Sequence, residues 1–134
     1  MANVQSINAI LKENHIELST KSNDGSRVVL NNRDLRDLDL RGVDFRNADL
    51  RNSDFSGANL SGADLRGANL EHTILLNADL RCALLCYADF SEADLRGCNL
   101  VGADFDCAEI WRTNLKGCKV SPEVLHHMLS CHKP

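Results

Sequence analysis

Ala58-Asn59-Leu60-Ser61-Gly62, Ala63-Asp64-Leu65-Arg66-Gly67 and Ala68-Asn69-Leu70 say the same five-residue phrase almost three times over, and that phrase decides the fold. Working outward, it holds from Leu30 to Val120, where every fifth position is Leu, Phe, Ile or Val without a break. Two residues before each centre the side chain is nearly always small: Ala48, Ser53, Ala58, Ala63, Ala68, Thr73, Ala78, Ala83, Ala88, Ala93, Cys98 and Ala103. The residue between the small one and the centre is usually Asp or Asn. A fixed internal period has to be read before any local propensity, because it sets the whole architecture.

The pattern Ala-Asp/Asn-Leu-X-X resembles the tandem signature of the pentapeptide-repeat family over about the central seventy per cent of the chain, in nineteen consecutive copies. The resemblance implies an all-β fold, a right-handed quadrilateral β-helix. Each pentapeptide makes one side of a square, and four make a coil. The centre and the small residue then point inward and the other three outward. Coils stacked at about 4.8 Å give a rod of roughly 23 Å. The small residue fills the space left beside stacked Leu and Phe at crystal-like density.

The repeat occupies residues 28–122 and leaves no room for a second domain. A net charge of −4, all of it within residues 28–122, announces neither a nucleic-acid binder nor a strongly acidic surface. No apolar run approaches the roughly 18 residues of a membrane-spanning helix. Met1 to His15 lacks the basic-then-apolar layout of a secretory signal. Six cysteines show no C-x-x-C pairing, so free thiols in a reducing, cytoplasmic compartment are expected. Cys98 and Cys118 fall in the small inward slot, where a thiol acts as a small hydrophobe.

Residues 1–27 break the period and are expected to form an N-terminal cap. Ser6 starts a helix to about Asn14 carrying Ile7, Ile10 and Leu11, and a hairpin follows over Ile16–Ser19 and Arg27–Leu30 with its turn at Asn23-Asp24-Gly25-Ser26. At the other end Ser121-Pro122-Glu123 starts a helix, with Ser as cap, Pro in the first turn and Glu on the dipole. Residues 123–134 are therefore a capping helix and tail, with Leu125, Met128 and Leu129 as its apolar face. Caps are needed because an open β-helix end exposes unpaired backbone. A monomer or weak dimer is expected. The first coil is expected to be the least regular, because Arg33 and Leu38 replace the small inward residue.

Outward positions carry an ordered code. Arg36, Arg41, Arg46 and Arg51 follow their centres while Asp34, Asp39, Asp44, Asp49 and Asp54 precede theirs. A solvated lattice of alternating charge, each pair contributing about 0–1 kcal/mol, explains this better than a recognition stripe. The repeated Asp/Asn can also bond backbone groups at the turns. The code fails at Ile74, Leu76, Leu84, Cys86 and Tyr87, and Trp111 stands in an outward slot. Four-sided counting puts Ile74/Leu76 opposite Leu84/Cys86. Those six residues are the candidate partner-binding set, unless the N-terminal segment folds back over one side.

No catalytic constellation, cofactor loop or metal site emerges. The carboxylates recur as a lattice, and His126, His127, Cys131 and His132 at the tail place no fourth ligand. The chain is expected not to be an enzyme and to bind neither nucleic acid nor membrane directly. A rigid surface whose outward residues vary freely suits a protein-interaction or scaffold module. The alternative follows from the resemblance alone: some pentapeptide-repeat proteins are similar to duplex DNA in shape and charge and occupy type II topoisomerases. That needs a continuous negative strip, which this sequence offers only between Asp89 and Glu109.

Overall fold

In the pentapeptide centred on Leu60, the Leu60 N–H donates to Asp79 O one coil on at 2.7 Å, and the Gly62 N–H to Arg81 O at 2.9 Å. The Asp64 N–H donates to Val43 O on the coil before at 2.9 Å, and the Ala63 N–H closes a turn on Leu60 O at 3.0 Å. One donor remains, Ser61 N–H, and it goes to Asn59 Oδ1 at 3.0 Å. The Asp/Asn of the repeat therefore supplies the acceptor that the ladder cannot. It is an Asx turn built into each side, and backbone groups in a rod this narrow must all find partners.

The computed structural model describes residues 7–14 and 28–131, without the side chains of residues 7, 8, 127 and 129–131. Parallel bridges join each Asp/Asn position to the one twenty residues later, from Val29↔Asp49 to Asn99↔Lys119, so four pentapeptides complete a coil. The corner lies two residues after each centre, and from residue 32 to 117 every such residue has positive φ. Positive φ at the third residue of a turn is the type II geometry, which favours Gly and Asn. Gly57, Gly62, Gly67, Asn47 and Asn52 fit it without strain. At Gly57 and Gly67 an added methyl would also overlap the Asp37 and Asn47 side chains of the preceding coil.

Four columns fill the interior: Leu30-Leu50-Leu70-Phe90, Leu35-Phe55-Leu75-Leu95, Leu40-Leu60-Leu80-Leu100 and Phe45-Leu65-Leu85-Phe105, all buried. Phe45 meets Phe55 edge-on, and Phe90 meets Phe105 at a tilt. Inward hydroxyls and thiols bond carbonyls instead of wasting their donors. Thr73 Oγ1 donates to Leu70 O at 2.7 Å, Cys98 Sγ to Leu75 O at 2.8 Å and Cys118 Sγ to Leu95 O at 2.7 Å.

The first coil keeps the twenty-residue register through Asp34↔Asp54 and Asp39↔Asn59. Leu38 packs half-buried against the core, and Arg33 turns aside so that its guanidinium donates to Asn31 O at 3.2 Å. Leu30, Leu35 and Leu40, the first described residues of their columns, are fully buried, and Ile10 and Leu11 of α1 (Ile7–Glu13) join the same cluster. The expected hairpin lies outside the described residues, apart from its last strand residues 28–30.

The C-terminal helix α2 (Pro122–Cys131) starts where Ser121-Pro122-Glu123 places it. Its buried face corrects the sequence expectation: Val124 and Met128 enter the core cluster, while Leu125 is 47% exposed. Val124 and Met128 are four apart and so share a face, whereas Leu125 is turned about 100° from Val124. The Leu129 side chain lies outside the described residues. Ile110, Leu115, Cys118 and Val120 of the last coil stay only half-buried.

Candidate functional site

Along the first half of the rod the outward Asp and Arg lock onto one another inside each pentapeptide. Arg36, Arg41, Arg46, Arg51 and Arg66 each grip the Asp two residues earlier with Nε and Nη2, at 2.6–2.9 Å. Arg81 and Arg96 do the same further on, with Asp79 and Asp94. The guanidinium beside Asp34 holds its carboxyl down at about 2, and Asp39, Asp44, Asp49, Asp64, Asp79 and Asp94 are lowered for the same cause. Arg46 also reaches Asp64 on the next coil at 3.8 Å. Most of these pairs are solvent-exposed, so they neutralise the surface more than they stabilise it.

The bridges Asp54↔Ile74↔Asp94 and Asp64↔Leu84↔Asp104 put Ile74 and Leu84 on opposite sides of the rod, as counting anticipates. Both replace the Asp/Asn whose side chain serves the turn. At Ile74 the orphaned Leu76 N–H is met by the Ser56 hydroxyl at 3.3 Å, a longer bond from the coil below. Neither residue gains core contact in exchange: Ile74 is 40% and Leu84 36% exposed, with Leu76 and Cys86 half-buried beside them. The N-terminal helix does not cover either side. Ile10 and Leu11 are buried in the core cluster, while Ile74 and Leu84 stay open.

Tyr87 occupies the corner after Leu84 and Cys86. It has φ 59° and is 69% exposed. An ordinary L-residue in that region costs about 1–2 kcal/mol, and an exposed ring recovers little of it by packing. Cys107 lies over it on the next coil, and that thiol, hydrogen-bonded to the phenol, raises the Tyr87 pKa. Cys86 is pushed up to about 11 by desolvation and then by Asp104, to which it donates. Cys82, Cys86, Cys98, Cys107 and Cys118 are free thiols.

The structure separates Trp111 from that group. It lies one coil further on, on the adjoining side marked by Asp89↔Glu109, 54% exposed, with the Arg112 guanidinium 5.2 Å from the ring centroid. Arg112 is itself held toward Glu92 at 3.6 Å. Sequence reasoning passed over Val101, which is exposed on the Asn99 side in a slot elsewhere filled by Arg or Ser; that substitution was the available signal. Among the described residues no three His, Cys, Asp or Glu side chains gather as a metal-holding group, and the His127, Cys131 and His132 side chains lie outside them. No described helix is long and apolar enough to cross a membrane.

The family model for pentapeptide repeats matches residues 26–62, 63–100 and 87–121, in eight copies. A crystal structure of a pentapeptide repeat protein from Nostoc PCC 7120 is similar over 90% of this chain and 100% of its own, at 26% identity and TM-score 0.58. A pentapeptide repeat protein (Rfr23) from the cyanobacterium Cyanothece 51142 is 33% identical over 69% of this chain, with TM-score 0.39. One from the Arabidopsis thaliana thylakoid lumen is 34% identical over 64%, with TM-score 0.46. The chain spans 56% and 60% of the lengths of the latter two. No curated protein sequence matches it.

Proposed function

Because the chain belongs to the pentapeptide-repeat family, whose fold is the right-handed quadrilateral β-helix, we propose that it is a non-enzymatic protein-interaction or scaffold module. The coils act as a rigid rod that displays an apolar girdle, Ile74, Leu76, Leu84, Cys86 and Tyr87, with Trp111 as a separate anchor. One observation carries this reading. At Leu84 and Tyr87 the rod gives up what its own folding prefers, an Asx acceptor and an unstrained corner, in favour of apolar side chains left in solvent. An Asx hydrogen bond is worth about 0.5–1.5 kcal/mol, so folding alone does not favour these residues. Exposed apolar area clustered within one coil fits contact with another protein, and Tyr and Trp are enriched among binding hot spots.

The arginine clamps weigh against the duplex-DNA mimic that would occupy a type II topoisomerase. They pair a carboxylate on each of the four sides, which interrupts negative charge along the rod outside the short acidic stretch from Asp89 to Glu109. Free thiols suit a reducing cytoplasmic setting. In this reading residues 1–27 and 123–134 close the two ends of the 28–122 rod and keep it from stacking on copies of itself.

Two double variants test the proposal, Leu84→Asp with Tyr87→Ala and Ile74→Asp with Leu76→Asp, each used as bait in affinity capture from the native source and melted in parallel. A side that docks a partner loses it while melting as the parent does. Unchanged capture by both variants would sink the interaction reading.

A further inference from the structure

Resting on that interaction reading, we infer that the docking face is the Leu84–Tyr87 side and that its occupant is a basic segment of another protein, in which Lys or Arg flanks a large apolar side chain. The two candidate sides differ in what surrounds the apolar residues. Ile74 is followed one coil on by Asp94, which Arg96 clamps at 2.6 Å. Leu84 is followed by Asp104, and the slot that holds Arg46 and Arg66 on the two earlier coils of this side holds Asp106. A carboxylate thus stands in the slot where the first two coils of this side place a neutralising guanidinium and the third places Cys86.

Around the corner the arginine is missing as well. Asp89 and Glu109 stack one coil apart, and the positions two residues after them are Ser91 and Trp111 instead of Arg. Tyr87 projects from the corner between the two sides, its N–H on Asp106 O at 3.0 Å. The result is an exposed ring and a leucine bordered on the following coil by Asp104, Asp106 and Glu109, and on their own coil by Asp89. Apolar and acidic rows lie one coil apart, about 4.8 Å. One segment can therefore bury an apolar side chain on Leu84/Tyr87 while its cations meet the carboxylates. Charge complementarity of this kind selects the partner and speeds encounter more than it adds affinity.

The test uses the full chain, isotope-labelled, with three synthetic peptides at low salt: one alternating Lys with Leu and Phe, its Glu counterpart, and a Lys-Ser peptide of equal charge. The Lys-Leu-Phe peptide should shift amides of residues 84–89 and 104–109. Asp104→Asn with Asp106→Asn, and separately Leu84→Ser with Tyr87→Ser, should each weaken it about tenfold, and Ser61→Ala, on a side that carries none of the girdle residues, should leave it unchanged. Raising salt to 0.5 M should weaken it further, since exposed charges are then screened. Equal binding of the Lys-Ser peptide would overturn the inference by removing the apolar residues from recognition. Equal binding of the Glu peptide would overturn the basic occupant while leaving the interaction reading in place. Shifts spread over all four sides, or none at millimolar peptide, would overturn it as well. The double-variant capture experiment decides the interaction reading separately.

Discussion

Leu65→Ala probes the architecture where it is most constrained. Leu65 sits in the Phe45-Leu65-Leu85-Phe105 column and is fully buried. Removing three buried carbons forfeits about 2.4 kcal/mol of transfer free energy at ~0.8 per carbon. The cavity cannot close, because both neighbouring coils are fixed by the ladder: Phe45 N–H on Asp64 O at 2.7 Å, Leu65 N–H on Leu84 O at 2.8 Å. The cost should therefore lie in the upper part of the usual range, about 3–5 kcal/mol. Leu115→Ala makes the comparison. Leu115 points into the last coil but is only half-buried, so roughly 1–2 kcal/mol is expected from the same carbons scaled by burial. Urea unfolding followed by circular dichroism measures both, at unchanged m-value. A Leu65→Ala loss below about 1 kcal/mol, or a Leu115→Ala loss as large as it, would refute the stacked-column account.

Ala68→Leu should cost about 1–3 kcal/mol or more in the same assay, because Ala68 is buried between Ala48 and Ala88 and overpacking forces side chains off rotamer; parent-like stability would remove Ala68 from the interior. The clamped carboxylates have folded pKa values below the unfolded value of about 3.9, so their stabilisation is present above about pH 4 and disappears as pH falls toward the folded value, about 2 for Asp34. Melting temperature should fall between pH 4 and pH 2, and Asp49→Asn, at the most buried clamp, should flatten that fall; a parent melting temperature constant to pH 2 would contradict it. Truncation after Ser121 removes Val124 and Met128 from the last coil and should give oligomers by light scattering, whereas an unchanged monomer would show that α2 does not guard that end.

The residues themselves determined the period, the inward columns and the start of α2. Leu60 and Ala63 reveal their direction because large and small side chains must alternate at fixed spacing in a narrow core, and that is a local regularity. Ser121-Pro122-Glu123 is likewise a local signal. What the tertiary structure decided lies twenty residues away. A period of five gives the length of a side but not the number of sides, which the parallel pairing of each position with the one twenty residues on fixes at four. Only with four sides established does Asp104 stand over Leu84, and Ser56 beneath Leu76. The same holds for α2, where the sequence placed Leu125 inward and the structure buries Val124: the exit of the chain from the last coil fixes which face of the helix turns down, and no pattern within the helix encodes that direction.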